Sequence, residues 1–337
     1  MIFAEIIRNV RPAELIMRTL RIATGLSALM FLLAHLPTSA LARDYPAAPV
    51  KFITQLAAGS GTDPAMRIVI DELSKRWGQQ AVLVNQPGAG GAVAARVVAT
   101  APPDGSTLFM AIASTFFALP ELQPNLPFNV NDFVSVGFVG EVPLAIAVTP
   151  ALPIKSLPEL VTYSKEQSGG MNFAVPVRGG LTHLAIELWR SRAGPNLTNI
   201  YYPGSAQAMS DVISGRVPAI IDGLAGPIVK GQLNVLAITL KSRVAAYPDT
   251  PTLAETAPGF AATGWFAVVA PRGTPDAVVK QINEDLQAVL ADNSVKERFA
   301  ALNVLTRPMA PEALEAFIRS EQQLWRPIVK RISSEQQ

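Results

Sequence analysis

The stretch Val50-Lys51-Phe52-Ile53-Thr54-Gln55-Leu56-Ala57-Ala58-Gly59-Ser60-Gly61-Thr62-Asp63-Pro64 decides how the chain folds. Apolar Val50, Phe52 and Ile53 make a short strand-like run, and beyond the glycines Met66, Val69, Ile70, Leu73 and Trp77 recur at helical spacing. A strand that turns through glycines into a helix leaves backbone N–H groups pointing outward, where the helix dipole adds partial positive charge. Such a turn suits an anion, which makes Ala58, Gly59, Ser60, Gly61, Thr62 and Asp63 candidate ligand contacts. Thr62 or Asp63 can cap the first turn, and Pro64 fits the first helical position, where a missing N–H is no loss. Taken alone, the loop reads as an ordinary strand-to-helix connection. Its recurrence further along the chain is what argues for a site.

Upstream, Arg8, Arg11, Arg18 and Arg21 precede an apolar run from Ile22 to Leu36 that ends in Ala40-Leu41-Ala42. This is the pattern of a secretory signal peptide, residues 1–42, cleaved after Ala42. An uncleaved N-terminal anchor is the rival reading, and Met17 is an alternative start. The leader holds four basic and two acidic side chains, out of 28 and 26 in the whole chain, so the mature protein keeps 24 of each and is electrically balanced. Without net positive charge or a Lys/Arg cluster, a nucleic-acid partner has little to recommend it. There is no cysteine, so an exported chain of this kind depends on its core and not on disulfides. The expected location is the bacterial periplasm, and a monomer is expected.

Downstream, short β-rich runs alternate with helical periodicity, the pattern of an α/β protein built from βαβ units with mainly parallel sheets. Ala81-Val82-Leu83-Val84 is a second strand, followed by Pro87-Gly88-Ala89-Gly90-Gly91 and an alanine-rich helix. The glycines resemble a dinucleotide fingerprint, but Val93 stands at the sixth position and no acidic residue follows about twenty further on, so no cofactor is expected. A third strand from Thr107 to Ile112 delivers Ser114 and Thr115 to a carboxyl end, where open α/β sheets bind ligands. The segment from Leu119 to Phe133 reads as irregular surface packing, and Leu144 to Val148 as the strand that passes into a second domain.

There the opening arrangement returns. Asn172 to Val175 runs into Arg178-Gly179-Gly180-Leu181-Thr182-His183 and a helix, and Tyr202-Pro203-Gly204-Ser205 leads into another, capped by Ser205. Ala219 to Asp222 and Val235 to Thr239 add two strands, and Trp265 to Ala270 returns to the first domain. Amphipathic helices beginning at Thr274-Pro275 and Pro311-Glu312 close the chain over the first sheet.

Thr62-Asp63 after a glycine loop, Asn85-x-Pro87-Gly88-Ala89-Gly90-Gly91, Pro103-Asp104-Gly105, Thr182-His183-Leu184-Ala185-x-Glu187-Leu188, Tyr202-x-Gly204-Ser205-Ala206 and Trp265-Phe266 occur in that order. In order and spacing the chain resembles the Bug-type solute-binding receptors of tripartite tricarboxylate transporters over essentially its whole mature length. The resemblance implies a two-domain, type II periplasmic-binding-protein fold, with residues 43–142 and 266–337 in one domain and 143–265 in the other. It implies a small organic acid held in the cleft and passed to a small and a large membrane subunit. The loop of Gly59 to Asp63 and that of Arg178, Gly179, Gly180 and Thr182 would face each other, with Tyr202, Gly204, Ser205 and Asp222 alongside. Family members usually carry prolines at Ala57 and Ala58, and a Gly-x-Gly-Ser run where Val177-Arg178-Gly179-Gly180 stands here. The chain therefore lacks a serine hydroxyl at Gly180 and gains a guanidinium at Arg178.

Arg178 can grip a second carboxylate through paired N–H groups, or remain a solvated loop arginine. Asp222 can accept a hydrogen bond from an amino or hydroxyl group on the ligand. Tyr202 and Trp265 are candidates for cleft lining as well as for core. His183 is the only histidine after the leader, better suited to a structural hydrogen bond than to proton transfer. One histidine and no cysteine leave neither a zinc site nor a paired nucleophile easy to assemble, so no metal and no catalytic residue are expected. The rival from another class is an exported hydrolase or isomerase using Asp63, Asp222 and His183. A binding domain that feeds a sensor kinase is a third reading.

Overall fold

A computed structural model describes residues 45–59, 62–123, 125–224, 227–243 and 247–334. The expected leader, its cleavage point and the alternative start lie outside these residues, as do Ser60 and Gly61. In chain order the elements are β1 (Val50–Thr54), α1 (Asp63–Trp77), β2 (Ala81–Asn85), α2 (Ala92–Ala99), β3 (Thr107–Ile112), α3 (Ser114–Phe117), α4 (Leu119–Leu122) and β4 (Phe133–Val148). Then follow α5 (Leu157–Glu166), β5 (Met171–Val175), α6 (Leu181–Ala193), β6 (Leu197–Tyr201), α7 (Ser205–Ile213), β7 (Ala219–Gly223) and β8 (Asn234–Ile238). The chain closes with α8 (Leu253–Thr256), β9 (Thr263–Pro271), α9 (Asp276–Ala291), α10 (Asn293–Ala301) and α11 (Pro311–Ser334).

The strands hydrogen-bond in the order β2-β1-β3-β9-β4-β7-β5-β6, with β8 also paired to β4. On the flanks the ladders are parallel, β1 with β2 and β3, and β5 with β6 and β7. Where the chain crosses between the flanks the ladders are antiparallel. The 16-residue β4 belongs to both halves: Phe133 to Pro143 pair with β9, and Leu144 to Val148 pair with β7.

That registration orients the loops. Ile112, at the end of β3, pairs with Phe266, which pairs in turn with Gly140 of β4. Gly223, at the end of β7, pairs with Leu144. Because β7 runs against β4 while β1 and β3 run with it, the carboxyl ends of β1, β2 and β3 point at those of β5, β6 and β7. Between the levels of Gly140 and Leu144 lie only about 13 Å of strand.

Sequence reading found only the last five residues of β4, and its glycines explain why. A β-carbon on Gly137 would stand 2.7 Å from Leu286 Cδ2 of α9, and one on Gly140 2.6 Å from Val304 Cγ1. Helix and loop press directly on the strand backbone at the two points where alternation of side chains breaks down. The segment before β4 also differs from expectation. Leu119 on α4 is buried, and Phe128 and Phe133 are buried against each other with ring centroids 5.9 Å apart, so the segment packs inward instead of forming irregular surface.

Three apolar clusters hold the layers together. One lies under α1, α9 and α10, a second under α7, and the third runs continuously from α3 and α11 to α6. Helix α11 joins the two halves. Leu314, Ile318, Trp325, Ile328, Val329 and Ile332 bury one stripe, and large apolar side chains of this sort contribute roughly 2 kcal/mol each. At its far end, Arg331 Nη2 donates to the backbone oxygen of Glu187 on α6 (3.2 Å). Trp265 proves to be core and not lining: it is fully buried, and its indole N–H donates to Glu321 Oε2 at 3.0 Å, as that of Trp325 does at 3.1 Å. Among the described residues no helix is long and apolar enough to cross a membrane.

Gly140→Ala is expected to destabilise the protein by about 1–3 kcal/mol, since neither Val304 nor the backbone at Leu305 can yield freely. A lowered midpoint of denaturant unfolding checks this; an unchanged midpoint means that the 302–306 segment does not press on β4.

Candidate functional site

The loops that follow β1, β3, β5, β6 and β7 carry the sequence-predicted contacts, and strand direction brings all five to the junction of the two halves. Side-chain contacts agree with the topology. Leu122 of α4 has its Cδ1 3.4 Å from where a β-carbon on Gly179 would sit, and Leu181 Cδ2 stands 3.5 Å from the equivalent point on Gly264 of β9. The loop after β5 thus rests against elements of the first sheet.

Two of the loops share one construction. Gly59 and Gly179 both have φ of 75°, in the left-handed region that favours glycine. Each donates its N–H to the side chain four residues on, Gly59 to Asp63 Oδ2 (2.8 Å) and Gly179 to His183 Nδ1 (3.0 Å). The side chain of Thr62 makes no cap, so the first turn of α1 is held by Asp63 reaching back to the loop. Burial alone would raise the Asp63 carboxyl; bonds from Arg67, Asn85 and Gly59 outweigh that and hold it below the usual carboxylate range. Asn85, at the end of β2, also donates to Leu56 O (2.9 Å), which fixes the loop at both ends.

His183 is 2 % exposed and caps its own loop, the structural part expected of it. Acceptance at Nδ1 leaves the ring's proton at Nε2, which lies 3.2 Å from the Tyr201 hydroxyl and 3.9 Å from the buried carboxylate of Glu187. Arg190 and Arg331 hold Glu187 from two sides at 2.6 and 3.5 Å. Asp63 and His183 both secure loop backbone, and the described hydroxyl in contact with His183 is that of Tyr201.

The remaining predicted residues divide by what they touch. Thr115 is buried and donates to Gln55 Oε1, while Gln55 Nε2 donates to Gly90 O (3.3 Å), so Thr115 works beneath the site by joining three loops. Gly91, at φ 114°, admits Gln55 because a β-carbon there would stand 2.4 Å from its Nε2. Ser114 opens α3 and is half-buried. Tyr202 turns its hydroxyl to Asp211 Oδ2 (2.9 Å); burial and that bond push the phenol up to about 12. Gly204 takes the cap position of α7, where Ser205 had been expected, and Ser205 Oγ donates instead to Asp222 Oδ1 (3.2 Å). Arg178 is exposed, makes no ion pair with a described residue, and lies 4.4 Å over the Tyr201 ring. Ala58 and Thr62 flank the first loop, and Gly180 and Thr182 the start of α6.

A cavity of about 890 Å3 lies elsewhere, between α9, α11 and the β4–β9 ladder, with Val134, Asn283 and Ile318 in its wall. None of the loop glycines reaches it, so size of cavity and direction of strand ends indicate different places; only the second gathers polar backbone around one point. Sequence reading missed Gln55, Asn85 and Arg67, polar residues at strand ends and on a first helical turn whose side chains tie the loops together. Among the described residues no group of three acids or histidines could hold a metal ion.

Asp63→Asn is expected to cost about 1–2 kcal/mol near neutral pH, because buried Asp63 loses its pair with exposed Arg67. A carboxylate with a lowered folded pKa stabilises above its unfolded value of about 4, and that contribution disappears as pH falls through the folded one. The gap between variant and native protein should therefore close in acid, as unfolding measured across pH will report.

Comparison with known proteins follows the same architecture. Protein BugT of Bordetella pertussis is 34% identical over 292 residues, covering 85% of this chain and 90% of that one. Among solved structures, Rpa4515 of R. palustris with adipate superposes with a TM-score of 0.75 at 28% identity, over 86% of this chain and 99% of the other. MatC of Rhodopseudomonas palustris with bound malate gives 0.71 at 28% identity, over 85% and 100%. The profile described as the tripartite tricarboxylate transporter family receptor matches residues 65–334. The chain has the two-domain periplasmic-binding-protein fold of these structures and belongs to the tripartite tricarboxylate transporter receptor family.

Proposed function

We propose that this protein is a periplasmic solute-binding receptor that encloses a small organic carboxylate by domain closure and hands it to the small and large membrane subunits of a tripartite transporter. The observation that carries the reading is the registration of β4, which turns the carboxyl ends of six parallel strands toward one another across Gly140 to Leu144. Helix starts at α1, α6 and α7 give that gap a positive backbone potential without a large fixed charge, which suits a carboxylate. The adipate and malate held by the two related structures are acids of this kind.

In this reading residues 43–142 with 266–337 form one domain and residues 143–265 the other. The hinge runs through β4 and β9, whose antiparallel ladder can bend while the flanking sheets move as bodies. The ligand meets Ala58, Gly59, Ser60, Gly61, Thr62 and Ser114 on one side, and Arg178, Gly179, Gly180, Thr182, Gly204, Ser205 and Asp222 on the other. Asp63, Thr115, His183 and the hydroxyl of Tyr202 act behind the wall, since each is bonded to a neighbouring part of the protein. A receptor needs no turnover, and two of the three candidate acid–base groups, Asp63 and His183, are engaged with loop N–H groups instead.

Titration calorimetry of the leaderless protein against mono- and dicarboxylates of three to eight carbons is expected to give at least one tight ligand, recovered chemically unchanged. His183→Ala should weaken that ligand about tenfold, because Gly179 loses the acceptor that sets its loop. Absence of heat across the panel, or conversion of the acid, counts against the receptor.

A further inference from the structure

The carboxylate of Asp222 stands at the end of β7 that faces the junction, one residue before Gly223 and level with Ala145 of β4. Its Oδ1 is spoken for, accepting the N–H of Gly223 at 2.8 Å and the hydroxyl of Ser205 at 3.2 Å. Its Oδ2 accepts from no described residue, and the side chain joins no ion pair with one. The phenol of Tyr202 gives its hydroxyl to Asp211 and not to Asp222. Burial raises the carboxyl of Asp222 above its ordinary value in spite of the two bonds it accepts, as expected where no cation offsets desolvation.

An acid with a free oxygen is a costly thing to keep beside a site for anions. Coulomb repulsion between Asp222 and a guest carboxylate works against binding unless a hydrogen lies between them. Ser205, at the first turn of α7, and the N–H of Gly223 fix Oδ1, which leaves Oδ2 without a described partner on the strand end that faces the junction. Resting on the carboxylate-receptor reading above, we infer that Asp222 is a specificity-determining residue that selects carboxylates bearing a hydroxyl or ammonium hydrogen near the carboxylate held by the helix starts. Oδ2 accepts that hydrogen, and an acid without one leaves the oxygen desolvated and unpaired. Asp222 is half-buried, so the cost falls when the site closes over Oδ2, and rejection of an analogue that lacks the matching donor is the general consequence of an acceptor left unanswered in that state.

The experiment compares matched acids on the native protein: propionate, lactate and alanine; succinate, malate and aspartate; glutarate, 2-hydroxyglutarate and glutamate. Within the series of suitable length, the hydroxy or amino acid is expected to bind about ten- to hundredfold more tightly than its unsubstituted parent. Asp222→Leu should erase the preference. Asp222→Asn, which keeps an acceptor but no charge, should retain the hydroxy acid better than the amino acid. The ranking on native protein needs no variant, so a misfolded substitution cannot hide the answer. Parent acids that bind as tightly as their substituted partners would overturn the role of Asp222 and leave the receptor reading intact. Failure of every acid to bind would overturn both.

Discussion

The structure depends on one strand serving two sheets. Residues 133–143 of β4 are committed to β9 and residues 144–148 to β7, so the direction of each flank is set by pairing against a single backbone. Parallel flanks that share such a strand, one running with it and one against it, must present their carboxyl ends to each other. The meeting of the ligand loops is thus a consequence of hydrogen-bond registration, and no contact between the loops is required to produce it.

Close packing protects that strand. Gly137 and Gly140 let α9 and the 302–306 segment rest on bare backbone, and Trp265 on the adjacent strand is tied through Glu321 to α11. The same helix reaches α6 at Arg331. The joining region is therefore rigid across its face yet crossed by only a few extended segments.

At the site, chemistry is divided between groups that present backbone and groups that hold it. Asp63 and His183 do the same work with different acceptors, an anion paired with Arg67 in one loop and a neutral ring beside Glu187 in the other. A carboxylate there places negative charge at a helix start, and Arg67 and Asn85 answer it. Two of the three side chains that are acid–base candidates, Asp63 and His183, each accept a loop N–H.

Sequence alone determined the alternation of strands and helices, the glycine turns, the balanced charge and the family likeness, because those depend on neighbours within a few residues. The loop positions at 59 and 179 were legible for the same reason: left-handed backbone favours glycine wherever it occurs. Strand β4 was half hidden, since its glycines answer to Leu286 and Val304, more than 140 residues away. So were the parts of Thr115, Tyr202 and Trp265, whose partners come from other elements, and of Gln55, which a local pattern does not distinguish from any polar strand end. Which polar side chain ties one loop to another was decided by tertiary packing, because a hydrogen bond has one donor to give and only the fold determines which acceptor stands within 3 Å of it.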